Sequence, residues 1–113
     1  MPQSLTIPMP DPKLSANGRA HWRAKSKLTR HLRSRTMLIC LSELDRGQTI
    51  QSYQLHFVFP DNRRRDFDNF TSRCKAALDG ISDAFNQDDS LWGMEAPTRE
   101  IIKGKNEVKI TLS

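Results

Sequence analysis

The sequence predicts a small α+β domain with a mixed sheet, and three observations carry that prediction. Apolar and polar residues alternate with period two around residues 5–9, 53–59 and 108–112. Two long intervening segments repeat apolar residues at helical spacing instead. Only two main helices then serve about four strands, too few for a sheet covered by helices on both faces. All 113 residues fit one domain, 1–113, with the order β-α-β-α-β-β.

Each element follows from local chemistry. Leu5, Ile7 and Met9 alternate with Thr6 and Pro8, and the prolines place this first strand at an edge. Turn formers fill Pro10 to Gly18. A helix is predicted from about Ala20 to Leu44, stopped by Gly47. Ala24, Leu28, Leu32 and Ile39 form its apolar stripe, while Arg19, Arg23, Arg30 and Arg33 share another arc. The run Met37 to Leu41 is apolar all round, which predicts burial in the core or against another subunit.

Tyr53, Leu55, Phe57 and Phe59 define the clearest strand, ended by Pro60. A second helix starts near Asp68 or Asn69, either of which suits the N-cap. It packs through Phe70, Cys74, Ala77, Leu78, Ile81 and Phe85 and turns Asp68, Ser72, Lys75 and Asp79 outward. A strand is expected within 91–102, then a turn at Lys103 to Asn106. Val108, Ile110 and Leu112 mark the last strand.

The net charge is +5 and the pI about 9.6. The excess is concentrated: Lys13 to Arg35 holds eight Lys and Arg residues and no acid. That pattern suits a polyanionic partner. Cys40 and Cys74 match neither a disulfide framework nor zinc-ligand spacing, so buried thiols in a reducing compartment are expected. No signal peptide and no apolar run of membrane-spanning length is visible, so a cytoplasmic protein with no membrane partner is expected.

The chemistry concentrates in Arg63-Arg64-Arg65-Asp66-Phe67-Asp68-Asn69, followed by Lys75 and Asp88-Asp89. Converging carboxylates repel unless a cation or a proton separates them. Hard oxygen ligands suit Mg²⁺, which can activate water and neutralise a phosphate. Asp66, Asp68 and Asp89 are the candidate metal ligands, with Asp88 as helper. Lys75 is a candidate for orienting water or stabilising charge on the phosphate. Taken singly, each has a plainer role: helix caps for Asp66 and Asp68, an acidic turn for Asp88-Asp89, a solvated Lys75. Arginines suit phosphates, and the candidate DNA contacts are Arg19, His21, Arg23, Lys27, Arg30, Arg63, Arg64, Arg65 and Asn69. Packing is an equal alternative for His21. His31 and His56 lack metal-ligand spacing, and Trp92 is expected in the core or an interface.

These motifs resemble the RusA family of Holliday-junction resolvases over most of the chain. Asn17-Gly18-Arg19-Ala20-His21-Trp22 is similar to its N-terminal signature and Pro60 through Asn69 to its central one. Lys75-Ala76-Ala77-Leu78-Asp79-Gly80 and Asp88-Asp89-Ser90 are similar to the parts that follow. The resemblance implies a homodimeric, Mg²⁺-dependent endodeoxyribonuclease, with Mn²⁺ able to substitute, that nicks two strands of a four-way DNA junction symmetrically. It implies metal-ligand roles for Asp66, Asp68 and Asp89 and a catalytic or phosphate-contacting role for Lys75. The chain departs from the pattern at Ser72, where the family's lysine can stand; Lys75 follows three residues later on nearly the same helix face. Two other readings are a non-catalytic branched-DNA-binding or regulatory protein of the same fold, and an RNA-directed or general nuclease.

Overall fold

The computed structural model describes residues 2–15 and 22–113. Arg19, His21 and the expected helix start at Ala20 lie outside them. A mixed five-stranded sheet carries helices on one face. β1 (Gln3–Pro8) lies at one edge, antiparallel to β5 (Glu107–Leu112), with Leu5 opposite Ile110 and Ile7 opposite Val108. β5 is antiparallel to the central β2 (Ser52–Phe59), with Leu55 opposite Ile110 and Phe57 opposite Val108. On the far side of β2 run two short parallel strands, β3 (Gly93–Met94) and β4 (Thr98–Ile101). The single strand expected within 91–102 is thus interrupted where Pro97, which lacks an N–H, enters.

The period-two pattern sends one row of side chains inward. Leu5, Ile7, Leu55, Phe57, Phe59, Val108, Ile110 and Leu112 are almost wholly buried. Every residue of β4 is exposed. Trp92 joins the core, as expected.

Helix α1 (Trp22–Glu43) differs from its predicted stripe. Ala24 is exposed and Leu28, Leu32 and Ile39 are only partly buried, whereas Thr36 and Cys40 are fully buried. The reason is a close helix crossing. A Cβ at Gly80 would meet the Arg33 carbonyl oxygen at 2.4 Å and Thr36 Cβ at 3.1 Å. Small residues therefore hold the centre of the contact, and the Thr36 hydroxyl is satisfied by donating to the Leu32 carbonyl at 2.8 Å. Arg33 does not belong to a free basic arc; it forks onto Asp83 at 2.6 and 2.8 Å. In the run Met37 to Leu41, Cys40 is buried but Leu38 and Leu41 are exposed.

The second predicted helix is two. α2 (Phe67–Arg73) and α3 (Lys75–Phe85) meet at Cys74, whose N–H donates to Thr71 at 3.0 Å, a tightened turn. Among the described residues there are thus three α-helices rather than two. Asp66, not Asp68 or Asn69, is the N-cap of α2, its carboxylate accepting from the Asp68 N–H at 2.9 Å. Cys74, Ala77, Leu78, Ile81 and Phe85 face the core as the spacing predicts. Asn86 ends α3 in the left-handed conformation, φ 53°. Among the described residues no helix is long and apolar enough to cross a membrane.

Candidate functional site

β2 delivers the chain to Pro60, where a tight turn begins. Asp61 organises it. Its carboxylate accepts from the Arg63 N–H at 3.1 Å and from Arg65 Nη2 at 2.7 Å. The hydrogen bond from the Arg63 backbone, then that from Arg65, holds the Asp61 carboxyl below its ordinary pKa. Arg65 Nη1 donates to the Asp61 and Arg63 carbonyls at 2.8 and 3.0 Å, and its guanidinium lies 4.2 Å from the centre of the Phe59 ring. Of the three expected phosphate-binding arginines, Arg65 is thus largely engaged in shaping the turn. Arg64 and Arg63 point outward, and Arg63 reaches Asp61 only at 3.4 Å.

The turn feeds α2. Capping uses one oxygen of Asp66, while Asp68 is exposed in the first turn. Asn69 accepts from the Ser15 hydroxyl at 3.4 Å. The loop after α3 brings Asp89 to Lys75, the first residue of that helix. Lys75 Nζ sits 2.8 Å from Asp89 and 3.0 Å from Asp79. The Asp89 hydrogen bond leads in raising the Lys75 pKa, against partial burial. Asp88 instead caps the short 3-10 turn Asp89–Leu91, accepting from the Ser90 N–H at 3.0 Å and its hydroxyl at 2.8 Å. Asp89, not Asp88, thus faces the lysine.

Two clefts adjoin this region. The first, about 580 Å³, is lined by Arg63, Arg64, Arg65, Asp66, Asn69 and Arg73, among others. The second, about 520 Å³, is lined by Lys25, Tyr53, Arg73, Lys75 and Asp79, among others. Arg73 belongs to both and was missed by sequence reasoning. The available signal was Phe70 three residues earlier on the same helix face, and the Arg73 guanidinium lies 4.1 Å from the centre of that ring. Phe70 in turn meets Phe59 edge-on at 5.0 Å, so Arg65 and Arg73 rest on one aromatic pair. Tyr53 was also missed as a site residue. Burial raises its pKa, and both Lys75 and Asp89 act on it.

The remaining candidates lie on α1. Arg23, Lys27 and Arg30 are exposed, and Arg23 lies 5.3 Å from the ring centre of the exposed Trp22. His56 bonds to Thr98 at 2.7 Å and Glu100 at 2.9 Å across the β2–β4 pair.

Carboxylate oxygens at Asp66, Asp68 and Asp89 have the hard-donor chemistry Mg²⁺ prefers. Their arrangement is less convergent than the sequence reading expects. Among the described residues, no three His, Cys, Asp or Glu side chains form a group able to hold a metal. Asp66 is used as a cap and Asp89 is paired with Lys75.

No family model matches the chain. It is similar to an uncharacterized protein of Xylella fastidiosa, 28% identical over 116 aligned positions, which cover 98% of this chain and 76% of the relative.

Proposed function

We propose that this protein is a Mg²⁺-dependent endodeoxyribonuclease that resolves four-way DNA junctions, working as a homodimer in the manner of the RusA family. The observation that carries the reading is the first cleft, which sets Asp66 and Asn69 beside Arg63, Arg64, Arg65 and Arg73. Guanidinium groups neutralise and orient backbone phosphates. Asp66, Asp68 and Asp89 would hold Mg²⁺, and the bound ion supplies an activated water and charge neutralisation at the phosphate. Lys75 holds a positive charge against Asp89 and Asp79 at the edge of the second cleft. From there it supports negative charge on a phosphate. Arg63 and Arg64, with Arg23, Lys27 and Arg30 on α1, attract the remaining backbone.

Two observations favour a second reading. Asp89 is paired with Lys75 at 2.8 Å, and no three-carboxylate cluster occurs among the described residues. A branched-DNA-binding protein without nuclease activity accounts for both. Incubation with a labelled synthetic mobile junction, with and without Mg²⁺, separates the two. The nuclease reading expects paired nicks only with Mg²⁺. It also expects cleavage to vanish in Asp68→Asn with binding kept or tightened, because a charge repelling phosphate is gone. Wild-type protein that binds the junction and leaves it uncut with Mg²⁺ establishes the second reading.

A further inference from the structure

Arg73 has a setting that its structural role does not explain. Its Nε is buried and meets no hydrogen-bond acceptor among the described residues. No carboxylate forms an ion pair with it there. Desolvation pulls its pKa down, with Asp11 acting against that at longer range. Arg65, the other arginine of the first cleft that is partly buried, has a carboxylate, Asp61 at 2.7 Å. A partly buried, unpaired guanidinium lowers stability, and such sites are retained where function needs them.

Its position suggests the need. Arg73 is the shared wall of both clefts, between the arginine turn on one side and Lys25 and Lys75 on the other. Contact with Phe70 fixes the guanidinium before any ligand arrives, so little side-chain freedom is lost on binding. The first cleft also holds Asp66, so a phosphate on Arg73 shares a cleft with one of the acidic candidates.

We propose that Arg73 is a preset phosphate anchor: a guanidinium fixed on Phe70 and left without a carboxylate, which takes a backbone phosphate of DNA where the strand passes from one cleft to the other. The missing counter-ion is the phosphate itself. This inference rests on the reading of the site as DNA-binding and adds to it a residue that the Asp and Lys motifs do not include.

The test compares Arg73→Met, which keeps the apolar stem on Phe70, with Arg73→Lys, which keeps the charge but loses the planar fork. Binding of a labelled four-way junction is followed by fluorescence anisotropy without divalent metal over a range of salt, alongside thermal unfolding. Arg73→Met is expected to lose about tenfold in affinity. The slope of log affinity against log salt should fall by about 0.9, one phosphate contact. Its Tm should be unchanged or higher. Arg73→Lys should regain the slope and only part of the affinity. Unchanged binding in Arg73→Met overturns the anchor and leaves the proposed function standing. A binding loss that tracks a fall in Tm, with Arg73→Lys behaving as wild type in both, assigns Arg73 a packing role and also overturns it. If wild-type protein binds no junction, the dinucleotide pTpT decides. A rise in Tm with pTpT in wild type, absent in Arg73→Met, keeps the phosphate site and removes the junction reading; no rise in wild type removes both.

Discussion

Gly80→Ala probes the crossing that sets α1, with its basic residues, against α3, with Lys75 and Asp79. The added methyl would stand 2.4 Å from the Arg33 carbonyl oxygen and 3.1 Å from both the Met37 nitrogen and Thr36 Cβ. Two of these neighbours are backbone, so no side chain can swing aside and the helices must separate. Overpacking of this kind costs about 3 kcal/mol at the upper end of its usual range. Replacing glycine with alanine inside a helix returns about 1 kcal/mol. The net loss is about 2 kcal/mol. At about 2.1 cal/mol/K per residue, the 113-residue chain unfolds with an entropy of about 0.24 kcal/mol/K, so Tm should fall by about 8 °C. Gly93→Ala is the control. Its nearest neighbours lie at 3.8 and 3.9 Å, ordinary contact distance, and the expected change is within about 0.5 kcal/mol. Thermal unfolding followed by circular dichroism reads both. An unchanged or raised Tm in Gly80→Ala would refute the claim that α1 and α3 meet through Thr36 and Gly80 without spare room.

Lys75→Met removes the cation between Asp79 and Asp89 while keeping an apolar stem; junction cleavage is expected to fall about 100-fold with anisotropy-measured binding little changed, and a loss seen only in binding would contradict its proposed place. The Arg33 fork depresses the Asp83 pKa below its ordinary 3.8, so the pair stabilises the fold above that pH and the contribution is lost as pH falls through the lowered value. Asp83→Asn should therefore reduce the unfolding free energy from urea titration at pH 7, by no more than about 1 kcal/mol for a pair this exposed, and the difference from wild type should close as pH falls below 3.8 through the lowered value. A gap that stays constant into acid would exclude the ion pair as its source. Burial raises the Cys40 thiol to about 11 and Cys74 to about 12, so neither should react with Ellman's reagent at pH 8 until the chain is unfolded; rapid native-state labelling would show one of them is accessible.

The strands were legible because the sheet has one dry face, which forces alternation in β1, β5 and most of β2, where the buried Val58 is the exception. The apolar face of α3 was legible for the same reason at helical period. The seam of α1 was not. Its deepest residues are Thr36 and Cys40, and the decisive partner is a glycine on another helix, none of which registers in an apolar stripe. The acidic and basic motif was legible as composition, but its partnerships were not. Arg33 finds Asp83 fifty residues away, Arg65 turns back to Asp61, and Asp66 spends one oxygen on a cap. Asp89 does return to the second helical segment, and it meets Lys75 there. Arg73 lacked a motif around it; its packing on Phe70 and its place in both clefts reveal it.

A sheet rim offers an incoming chain a template of unpaired N–H and C=O groups. Here one rim is split into pieces of two and four residues by the step at Pro97. The other ends at Pro8, which has no N–H to offer. The split rim therefore presents no long, unbroken template for strand addition, and the β1 rim loses one donor at its end.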